Sequence, residues 1–223
     1  MNRLLRFLFF GVAVRTVVLL LLGLNVRHRE RLPLGGPAIL VANHNSHLDT
    51  MVLISLLPLK LLPRIRPAAA LDYFLRNRPL AWFALNIIGI IPVARKAENP
   101  TPAMSCRAAK PVHPLQGCKD ALERGDILIF FPEGTRGEPE QRAKFKSGIA
   151  HLIENHPDVP VIPIFMHGLG KSLPRGETVL VPFFCDVFVG EALHWNGSRV
   201  DFMLNLEQGM EALEAEGGFA EWE

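Results

Sequence analysis

Cysteine is scarce in this sequence. Three cysteines, Cys106, Cys118 and Cys185, occur in 223 residues, and no two of them form a C-x-x-C pair. An odd, unpaired set argues against a disulfide framework and fits a reducing compartment, and no zinc-type cysteine spacing is present. A strong excess of charge is lacking as well, because the formal net charge is only +2 at pH 7. That balance gives no reason to expect nucleic acid as a partner.

Two common catalytic motifs are also missing. There is no G-x-S-x-G segment, in which a strand and a turn would present a nucleophilic serine, and no H-E-x-x-H segment, in which a helix would hold zinc. What is present is a composition with 49% hydrophobic and 21% charged residues. This composition is typical of a globular protein that leans apolar. A chain of 223 residues is long enough for one domain with a sizeable core and a short appendage.

An apolar stretch occupies residues 4–25 and is interrupted by Arg6 and Arg15. Its length approaches the roughly 20 apolar residues that cross a bilayer. However, Arg15 lies near its middle, where a charge costs about 2.5–3.5 kcal/mol, and basic residues flank both ends. The pattern favours a helix that lies on an anionic membrane surface, with Arg15 reaching up to the headgroups. A membrane span and a helix buried in the protein core remain as alternatives. A cleaved signal peptide is a poor match, because no A-x-A-like cleavage site follows the apolar run.

A Gly/Pro-rich boundary at residues 33–37 separates this stretch from the rest of the chain. We therefore expect residues 1–32 to form a membrane-associating helical segment and residues 33–223 to form a separate folded domain. Because the unpaired cysteines fit a reducing compartment, we expect the protein on the cytoplasmic face of a membrane, attached at the surface rather than spanning it.

Beyond the boundary, short apolar runs alternate with helical patterns. Ala38–Ala42 and Ile127–Phe131 are the clearest buried strands, each bounded by turn signals. The predicted strands are 38–42, 68–71, 90–94, 127–131, 159–166 and 179–189, and the predicted helices are 47–57, 80–88, 115–123, 147–154 and 198–215. The proline-containing residues 96–112 are interpreted as a mobile loop. Strands that alternate with helices indicate an α/β fold with a largely parallel central sheet flanked by helices.

Candidate catalytic side chains directly follow the first predicted strand. Residues 43–49 read Asn-His-Asn-Ser-His-Leu-Asp, which places His44 five residues before Asp49. The carboxyl ends of strands are where α/β sheets bind ligands. If His44 lies in the loop and Asp49 in the first helical turn, the carboxylate can hold one imidazole nitrogen while the other faces solvent. This arrangement of a base and its orienting carboxylate deprotonates hydroxyl groups.

Two other interpretations of the same segment stay open. Ser46 and Asp49 form an S-x-x-D capping box, which by itself would explain the aspartate. Alternatively, His44, His47 and Asp49 are all possible metal ligands, and they would suit a metal-dependent hydrolase. Their H-x-x-H-x-D spacing differs from that of zincins, because no glutamate follows His44.

Charged residues follow two further strands. Glu133-Gly134-Thr135-Arg136 comes after the central strand, and Arg95 comes after the strand at 90–94. Arginine suits phosphate, because its planar fork can donate two parallel hydrogen bonds. An exposed Glu133–Arg136 ion pair within a turn is the simpler alternative, and it would contribute only about 0–1 kcal/mol. Further positive charge follows at Arg142, Lys144 and Lys146, consistent with an anionic ligand or with a solvated surface.

Taken together, these segments resemble the glycerolipid acyltransferase family, whose best-known members acylate lysophosphatidic acid. Residues 43–49 match its His-x(4)-Asp motif. Gly89–Arg95, Phe131–Gly137 and Val161–Ile164 are similar to its next three sequence blocks, in the same order. The resemblance covers roughly residues 35–190, and four blocks in order are far more specific than any one of them.

The resemblance implies that residues 33–223 are an acyltransferase domain. Such a domain would move a fatty acyl group from acyl-CoA or acyl carrier protein to the hydroxyl of a lysoglycerolipid. The expected product from 1-acylglycerol-3-phosphate is phosphatidic acid. No cofactor or metal is expected, because the thioester carrier is a co-substrate. Membrane lipids and that carrier would be the partners.

The resemblance also implies a role for each matched residue. His44 would be the general base and Asp49 its orienting carboxylate. The acceptor's polar headgroup would be bound by Arg95, Glu133, Gly134, Thr135 and Arg136, with the glycine permitting close approach of the backbone.

One departure from the family pattern concerns residues 68–74. Many members carry a lysine there, and this sequence reads Ala-Ala-Ala-Leu-Asp-Tyr-Phe. Another lysolipid or an amine-bearing lipid is therefore an alternative acceptor. A non-catalytic lipid-binding protein, which would keep the basic residues and leave His44 dispensable, is an alternative from a different class.

Overall fold

A computed structural model describes residues 2–46, 48–70, 77–93, 113–134, 143–172, 181 and 183–219, apart from the side chains of residues 19–21. Seven strands form one sheet: β1 (Gly23–Arg27), β2 (Ala38–Ala42), β3 (Ile65–Ala70), β4 (Ile91–Val93), β5 (Ile127–Phe130), β6 (Val161–His167) and β7 (Phe184–Val189). Their spatial order is β1-β7-β6-β2-β5-β3-β4. Neighbouring strands are parallel except for β6 and β7. The predicted α/β fold with a largely parallel sheet is confirmed.

Helices cover both faces of this sheet. They are α1 (Arg3–Leu8), α2 (Arg15–Leu21), α3 (Leu48–Leu56), α4 (Arg78–Phe83), α5 (Gln116–Glu123), α6 (Gly148–Ile153), α7 (Leu169–Ser172) and α8 (Arg199–Gly217). A π-helical segment, Phe9–Val14, joins α1 to α2 in one continuous helix at residues 3–21, and another, Ala84–Ile88, extends α4 to residue 88. One core lies between the sheet and the helices at 3–21, 48–56 and 84–88, and a second core lies between the sheet and α5, α6 and α8.

The predicted elements beyond residue 37 are all present, and most of their ends differ by one to three residues. The largest difference concerns the last strand, which was predicted over 179–189 and begins at Phe184. Residues 94–112, which include the predicted loop at 96–112, lie outside the described residues.

The predicted separation of residues 1–32 from the domain needs a correction, because residues 23–27 form β1 of the sheet. This strand pairs in parallel with β7, from Gly23 opposite Phe184 to Arg27 opposite Phe188. In Leu24-Asn25-Val26-Arg27, the two apolar side chains pack against the core. Such alternation is typical of a half-buried strand, but the preceding run of leucines extends the apolar stretch across it.

One side of the helix at residues 3–21 belongs to the core. Phe10, Val14, Val18 and Leu22 follow one another at intervals of four, so they share one face, and all four are buried. Side chains on the opposite face are exposed. Among the residues that the structure describes, no helix combines the length and the apolarity needed to cross a membrane.

The two arginines that interrupt the apolar stretch bind backbone carbonyl groups inside the protein. Arg6 is 1% exposed, and its Nη2 donates to the carbonyl oxygens of Ile65 at 2.8 Å and Ile88 at 2.9 Å. Nη2 of Arg15 donates to the carbonyl oxygen of Leu57 at 3.1 Å, just beyond the end of α3. The expectation that Arg15 reaches up to lipid headgroups is therefore wrong, because unpaired carbonyl groups at a helix end offer it nearer acceptors.

Candidate active site

The candidate site lies where β2 and β5 end. These strands are parallel neighbours, with Val41 opposite Phe130, so the residues that follow them meet at one edge of the sheet. His44 comes two residues after β2, and Glu133 comes three residues after β5. This is the carboxyl edge at which an α/β sheet binds its ligands.

His44 and Asp49 form the pair that the sequence predicts. Nδ1 of His44 lies 2.9 Å from Oδ2 of Asp49. Asp49 is fully buried in the first turn of α3, whereas the side chain of His44 is 20% exposed. With Nδ1–H donating to the carboxylate, Nε2 carries the lone pair that can accept a proton. The histidine is thereby fixed in the tautomer that a general base needs.

The same carboxylate oxygen also closes the loop before α3. Oδ2 of Asp49 accepts hydrogen bonds from the backbone N–H groups of Asn45 at 2.7 Å and Ser46 at 2.9 Å. In return, Oγ of Ser46 accepts the N–H of Leu48 at 3.3 Å. The carboxylate of Asp49 therefore closes the loop before α3 and holds the ring of His44 at the same time, so the two interpretations do not exclude each other.

The metal interpretation fits this geometry less well. Three N–H donors already converge on Oδ2 of Asp49, including the ring of His44. Metal binding there would have to displace them. Within the described part of the chain, no group of three His, Cys, Asp or Glu side chains is arranged to hold a metal ion. His47, the third member of that hypothesis, lies outside the described residues.

Phe131 is a site residue that the sequence reasoning missed. Its ring stacks on the imidazole of His44, with the ring centroids 4.1 Å apart and the planes 22° from parallel. Stacking on one side and the Asp49 hydrogen bond at one edge together fix the plane of the imidazole. The available signal was an aromatic residue at the end of the central strand, directly before the Pro132-Glu133-Gly134 turn.

Asn43 is a second residue whose contribution the sequence did not reveal. Its Nδ2 donates to the carbonyl oxygen of Met166, and its Oδ1 accepts the N–H of Met166, both at 2.8 Å. The side chain thus binds β6 beyond the last backbone pair of β2. Because Asn43 is buried and precedes His44, it fixes the point at which the loop of His44 leaves the sheet.

Glu133 contacts the loop that carries His44. Its Oε1 accepts the backbone N–H of His44 at 3.2 Å, and the residue is only 2% exposed. Burial raises the pKa of this carboxyl to about 7, although N–H donors from His44 and Ala143 oppose the shift. Its other oxygen, Oε2, has no hydrogen-bond partner among the described residues. The sequence-based prediction assigned Glu133 to the headgroup, and in the structure Glu133 accepts the backbone N–H of His44.

Gly134 and Lys146 lie next to this glutamate. Gly134 has φ of +72°, a left-handed conformation that favours glycine. A Cβ atom at this position would lie 2.7 Å from Nζ of Lys146. The backbone N–H of Lys146 donates to the carbonyl oxygen of Pro132, which holds the lysine beside the turn. One of the basic residues noted after the motif is therefore brought to the site. Arg95, Thr135 and Arg136 lie outside the described residues.

Comparison with known proteins agrees with the resemblance to the glycerolipid acyltransferase family. The family model described as "Acyltransferase" matches residues 23–167, more than half of the chain. The chloroplastic 1-acyl-sn-glycerol-3-phosphate acyltransferase of Arabidopsis thaliana is 30% identical over 188 residues, which are 82% of this chain and 46% of that protein. Human 1-acyl-sn-glycerol-3-phosphate acyltransferase alpha is 27% identical over 170 residues, 74% of this chain and 52% of that protein. The chain thus spans about half the length of these relatives.

A solved structure shares the fold. The crystal structure of the 1-acyl-sn-glycerophosphate (LPA) acyltransferase PlsC from Thermotoga maritima aligns with a TM-score of 0.71 at 21% identity. The alignment covers 96% of this chain and 80% of that chain.

Proposed function

Because this chain belongs to the acyltransferase family, we propose that it transfers a fatty acyl group from acyl-CoA or acyl carrier protein to the hydroxyl of a lysoglycerolipid. The proposed acceptor is 1-acylglycerol-3-phosphate, which gives phosphatidic acid. One observation carries the proposal: a partly exposed His44 whose Nδ1 is held by the buried Asp49 at the carboxyl edge of the sheet. The names of the relatives support this choice of acceptor.

The reaction needs one proton to move twice. Nε2 of His44 takes the proton of the acceptor hydroxyl as its oxygen attacks the thioester carbonyl carbon. The tetrahedral intermediate collapses by breaking the carbon–sulfur bond, which leaves an ester and a thiolate. The imidazolium then returns the proton to the thiolate sulfur. Asp49 stabilises the imidazolium between the two transfers, and Phe131 keeps the ring plane constant.

Positive charge beside the base would bind the acceptor's phosphate. We assign this function to Arg95 and Arg136, with Thr135 and the exposed backbone of Gly134, as the family pattern implies. Lys146 adds a cation on the described side of the turn. Residues 68–74 contain no lysine, so the positive charge of Lys146 is a second source of charge at the site. Its presence is consistent with a phosphate-bearing acceptor.

The absence of a lysine at residues 68–74 also makes a second class of acceptor possible. A lysolipid with another headgroup, or an amine-bearing lipid, would need less positive charge than lysophosphatidic acid. An acceptor panel separates these possibilities, because the base and its carboxylate are common to all of them.

We also propose that the protein acts at the cytoplasmic face of a membrane. The acceptor and the product are lipids, and the outer side of the helix at residues 3–21 exposes apolar side chains. Membrane attachment at the surface is consistent with this exposure.

The test is acyl transfer by purified His44→Ala. The variant is expected to lose about 10²–10⁴-fold in rate while it melts like the wild type, because only the general base is removed. His194→Ala, which removes an exposed histidine, is the matched control and should keep full activity. Acyl-CoA and acyl carrier protein are each supplied with lysophosphatidic acid, other lysolipids and monoacylglycerol, and products are identified by mass spectrometry.

Three results would contradict the proposal. If His44→Ala retains half of the wild-type rate, His44 is not the base. If a chelator abolishes the activity and zinc restores it, the metal-dependent hydrolase is the better explanation. Absence of transfer to every acceptor, combined with retained lipid binding, would indicate a non-catalytic lipid-binding protein.

A further inference from the structure

The charges of this chain are divided between its two ends. Residues 1–93 contain eleven Lys and Arg but only three Asp and Glu, whereas residues 94–223 contain thirteen Lys and Arg and nineteen Asp and Glu. The net charge of +2 therefore conceals a basic part and an acidic part. Of the three early carboxylates, Glu30 is exposed, Asp49 is buried against His44, and Asp72 lies outside the described residues.

The fold places part of this division across the sheet, although Arg27 pairs with Glu216 of α8 and Arg31 pairs with Glu191. The helices at residues 3–21, 48–56 and 78–88 come from the basic part, and they pack on one face. The helices α5, α6 and α8 come from the acidic part and pack on the other face. Among the helical residues, Arg3 and Arg78 are exposed on the first face, whereas Asp201 and Glu211 of α8 are exposed on the other. We call these the basic face and the acidic face.

Exposed apolar side chains are concentrated on the basic face. The helix at residues 3–21 exposes Leu4, Leu5, Phe7, Leu8 and Val12, and Leu4 is 68% accessible. Leu4, Leu8 and Val12 follow at intervals of four, so they form one stripe along the helix. Packing in the core occupies the opposite side of the same helix, which leaves this stripe without a partner among the described residues.

A second helix extends the stripe. The helix at residues 78–88 exposes Leu80, Trp82 and Leu85, and Trp82 is 53% accessible. Its Phe83 packs edge-to-face on Phe9 with the ring centroids 5.1 Å apart, so the two helices adjoin. Tryptophan is enriched where a protein meets the polar–apolar boundary of a bilayer, because its ring is apolar and its N–H is polar.

Basic side chains surround these apolar residues. Arg3, Lys60, Arg64 and Arg78 are exposed on the segments that form this face, and none of them pairs with a carboxylate of the described residues. Arg3 also lines a surface cavity of about 300 Å³ together with Leu4, Phe7 and Leu59. Unpaired cations around an apolar surface match an anionic lipid layer, with headgroups at the rim and acyl chains at the centre.

We propose that the helices at residues 3–21 and 78–88 together form one surface that docks on an anionic bilayer. Leu80, Trp82 and Leu85 of the second helix enter the lipid alongside the stripe of the first. The acidic helix α8, with α5 and α6 beside it, faces away from the membrane, so the charges on the two faces favour this orientation. This inference extends the proposed membrane location, and its test does not depend on acyl transfer.

The test uses the tryptophans as position reporters. A protein with Trp195→Phe and Trp222→Phe retains Trp82 alone and is mixed with vesicles of phosphatidylcholine, or of an equal mixture of phosphatidylcholine and phosphatidylglycerol. With the anionic vesicles, Trp82 emission should shift to shorter wavelength and resist quenching by acrylamide. The matched control retains Trp195, which packs against Phe202 of α8, and its emission should not change.

A substitution pair gives the second measurement. Trp82→Ser combined with Leu85→Ser should lower cosedimentation with the anionic vesicles by about tenfold or more, because buried apolar area contributes to interfacial binding. Leu204→Ser, which removes an exposed leucine of α8, is the control and should bind like the wild type. Both variants are compared by thermal melting, and the reporter protein identifies the surface if the double variant fails to fold.

Each unfavourable result has a distinct meaning. If the protein sediments with vesicles while Trp82 stays in water, the 78–88 helix is not part of the docking surface and the inference fails. If the wild type binds neither vesicle, the inference fails. It also fails if Trp82→Ser with Leu85→Ser abolishes a dimer seen by ultracentrifugation, because a second copy then covers the face. Acyl transfer to acceptor in detergent micelles, measured in parallel, shows whether the proposed function holds without docking.

Discussion

At His44, the proposed base, one carboxylate oxygen performs two tasks that are often assigned to different residues. Oδ2 of Asp49 receives the ring N–H of His44 and the backbone N–H groups of Asn45 and Ser46. The orientation of the base and the start of α3 therefore depend on the same atom. Substitutions at Asp49 will change both catalysis and stability, which makes His44 the cleaner position for testing the chemistry.

The buried carboxyl of Glu133 makes the stability of the protein depend on pH. Its pKa is raised from 4.5 to about 7, so the unfolded chain ionises first as pH rises and the folded protein ionises later. The folding free energy that Glu133 contributes is fully present below about pH 4.5 and is lost as pH rises through about 7. The loss amounts to about 3 kcal/mol, because a shift of one pKa unit corresponds to about 1.36 kcal/mol. Glu133→Gln removes this dependence, because an amide does not ionise.

We therefore expect the melting temperature of Glu133→Gln to exceed that of the wild type at about pH 8 and to approach it at about pH 5. Melting curves at both pH values test this, with exposed Glu123→Gln as the control. A difference of the opposite sign at about pH 8 would show that the ionised carboxylate is stabilised by partners that outweigh its burial.

Lys146 is predicted to bind the phosphate of the acceptor. Its ammonium group lies beside Gly134 and forms no ion pair with the described residues, so it is available to a ligand. Lys146→Ala should raise the KM for lysophosphatidic acid by about tenfold and leave kcat nearly unchanged, because a hydrogen bond to a charged group contributes about 1.5–3 kcal/mol.

Lys144→Ala is the matched control, since Lys144 is an exposed lysine two residues away. Monoacylglycerol provides the second comparison, because it carries no phosphate. If Lys146→Ala raises the KM for acyl-CoA instead, the lysine binds the phosphates of the carrier. An equal loss with monoacylglycerol would show that it does not bind phosphate.

Among the elements, the helix at residues 3–21 combines two roles. Its inner side completes the core through Phe10, Val14 and Val18, and its outer side exposes the apolar stripe. The chain then enters β1 of the sheet. Removal of residues 1–32 would consequently uncover the core and delete an edge strand, so a truncation cannot separate membrane binding from folding.

Arg6 provides a test of how firmly this helix is held. Arg6→Ala should destabilise the protein by about 1–3 kcal/mol for each buried carbonyl group left unpaired, those of Ile65 and Ile88. Arg6 also has a pKa lowered to about 10, chiefly by burial and further by nearby Arg66, so part of its interaction energy offsets a desolvation cost. Urea denaturation measures the loss, and Arg3→Ala, at an exposed position one turn earlier, should have little effect.

At the scale of the whole molecule, the charge division predicts which amides a membrane protects. Amide hydrogen exchange in the presence of anionic vesicles should slow by about tenfold or more in residues 3–12 and 78–88. Residues 199–217, on the acidic face, should exchange at the rate seen without vesicles. Vesicles of phosphatidylcholine alone are the control, because they provide apolar contact without the attraction to Lys and Arg. Protection of α8 instead would reverse the proposed orientation.

The sequence by itself predicted the elements beyond residue 37 and the pairing of His44 with Asp49. Ala38–Ala42 and Ile127–Phe130 are apolar runs of strand length, and such runs identify buried strands wherever the partners lie. His44 and Asp49 are five residues apart, so a loop followed by one helical turn suffices to join them. Contacts of this kind are local, and a local pattern predicts them. The His-x(4)-Asp motif of the family that the sequence resembles indicates the same two residues.

Only the tertiary structure decided what covers each apolar face and which distant residues contact His44. The N–H of His44 meets Glu133 across 89 residues of sequence, and Phe131 reaches the imidazole because β2 and β5 are neighbours. Likewise, β1 pairs with β7, and the helix at residues 3–21 packs on the same core. Periodicity shows that a helix has an apolar side, but not whether protein or lipid will cover it. That depends on which distant segments the sheet order brings together.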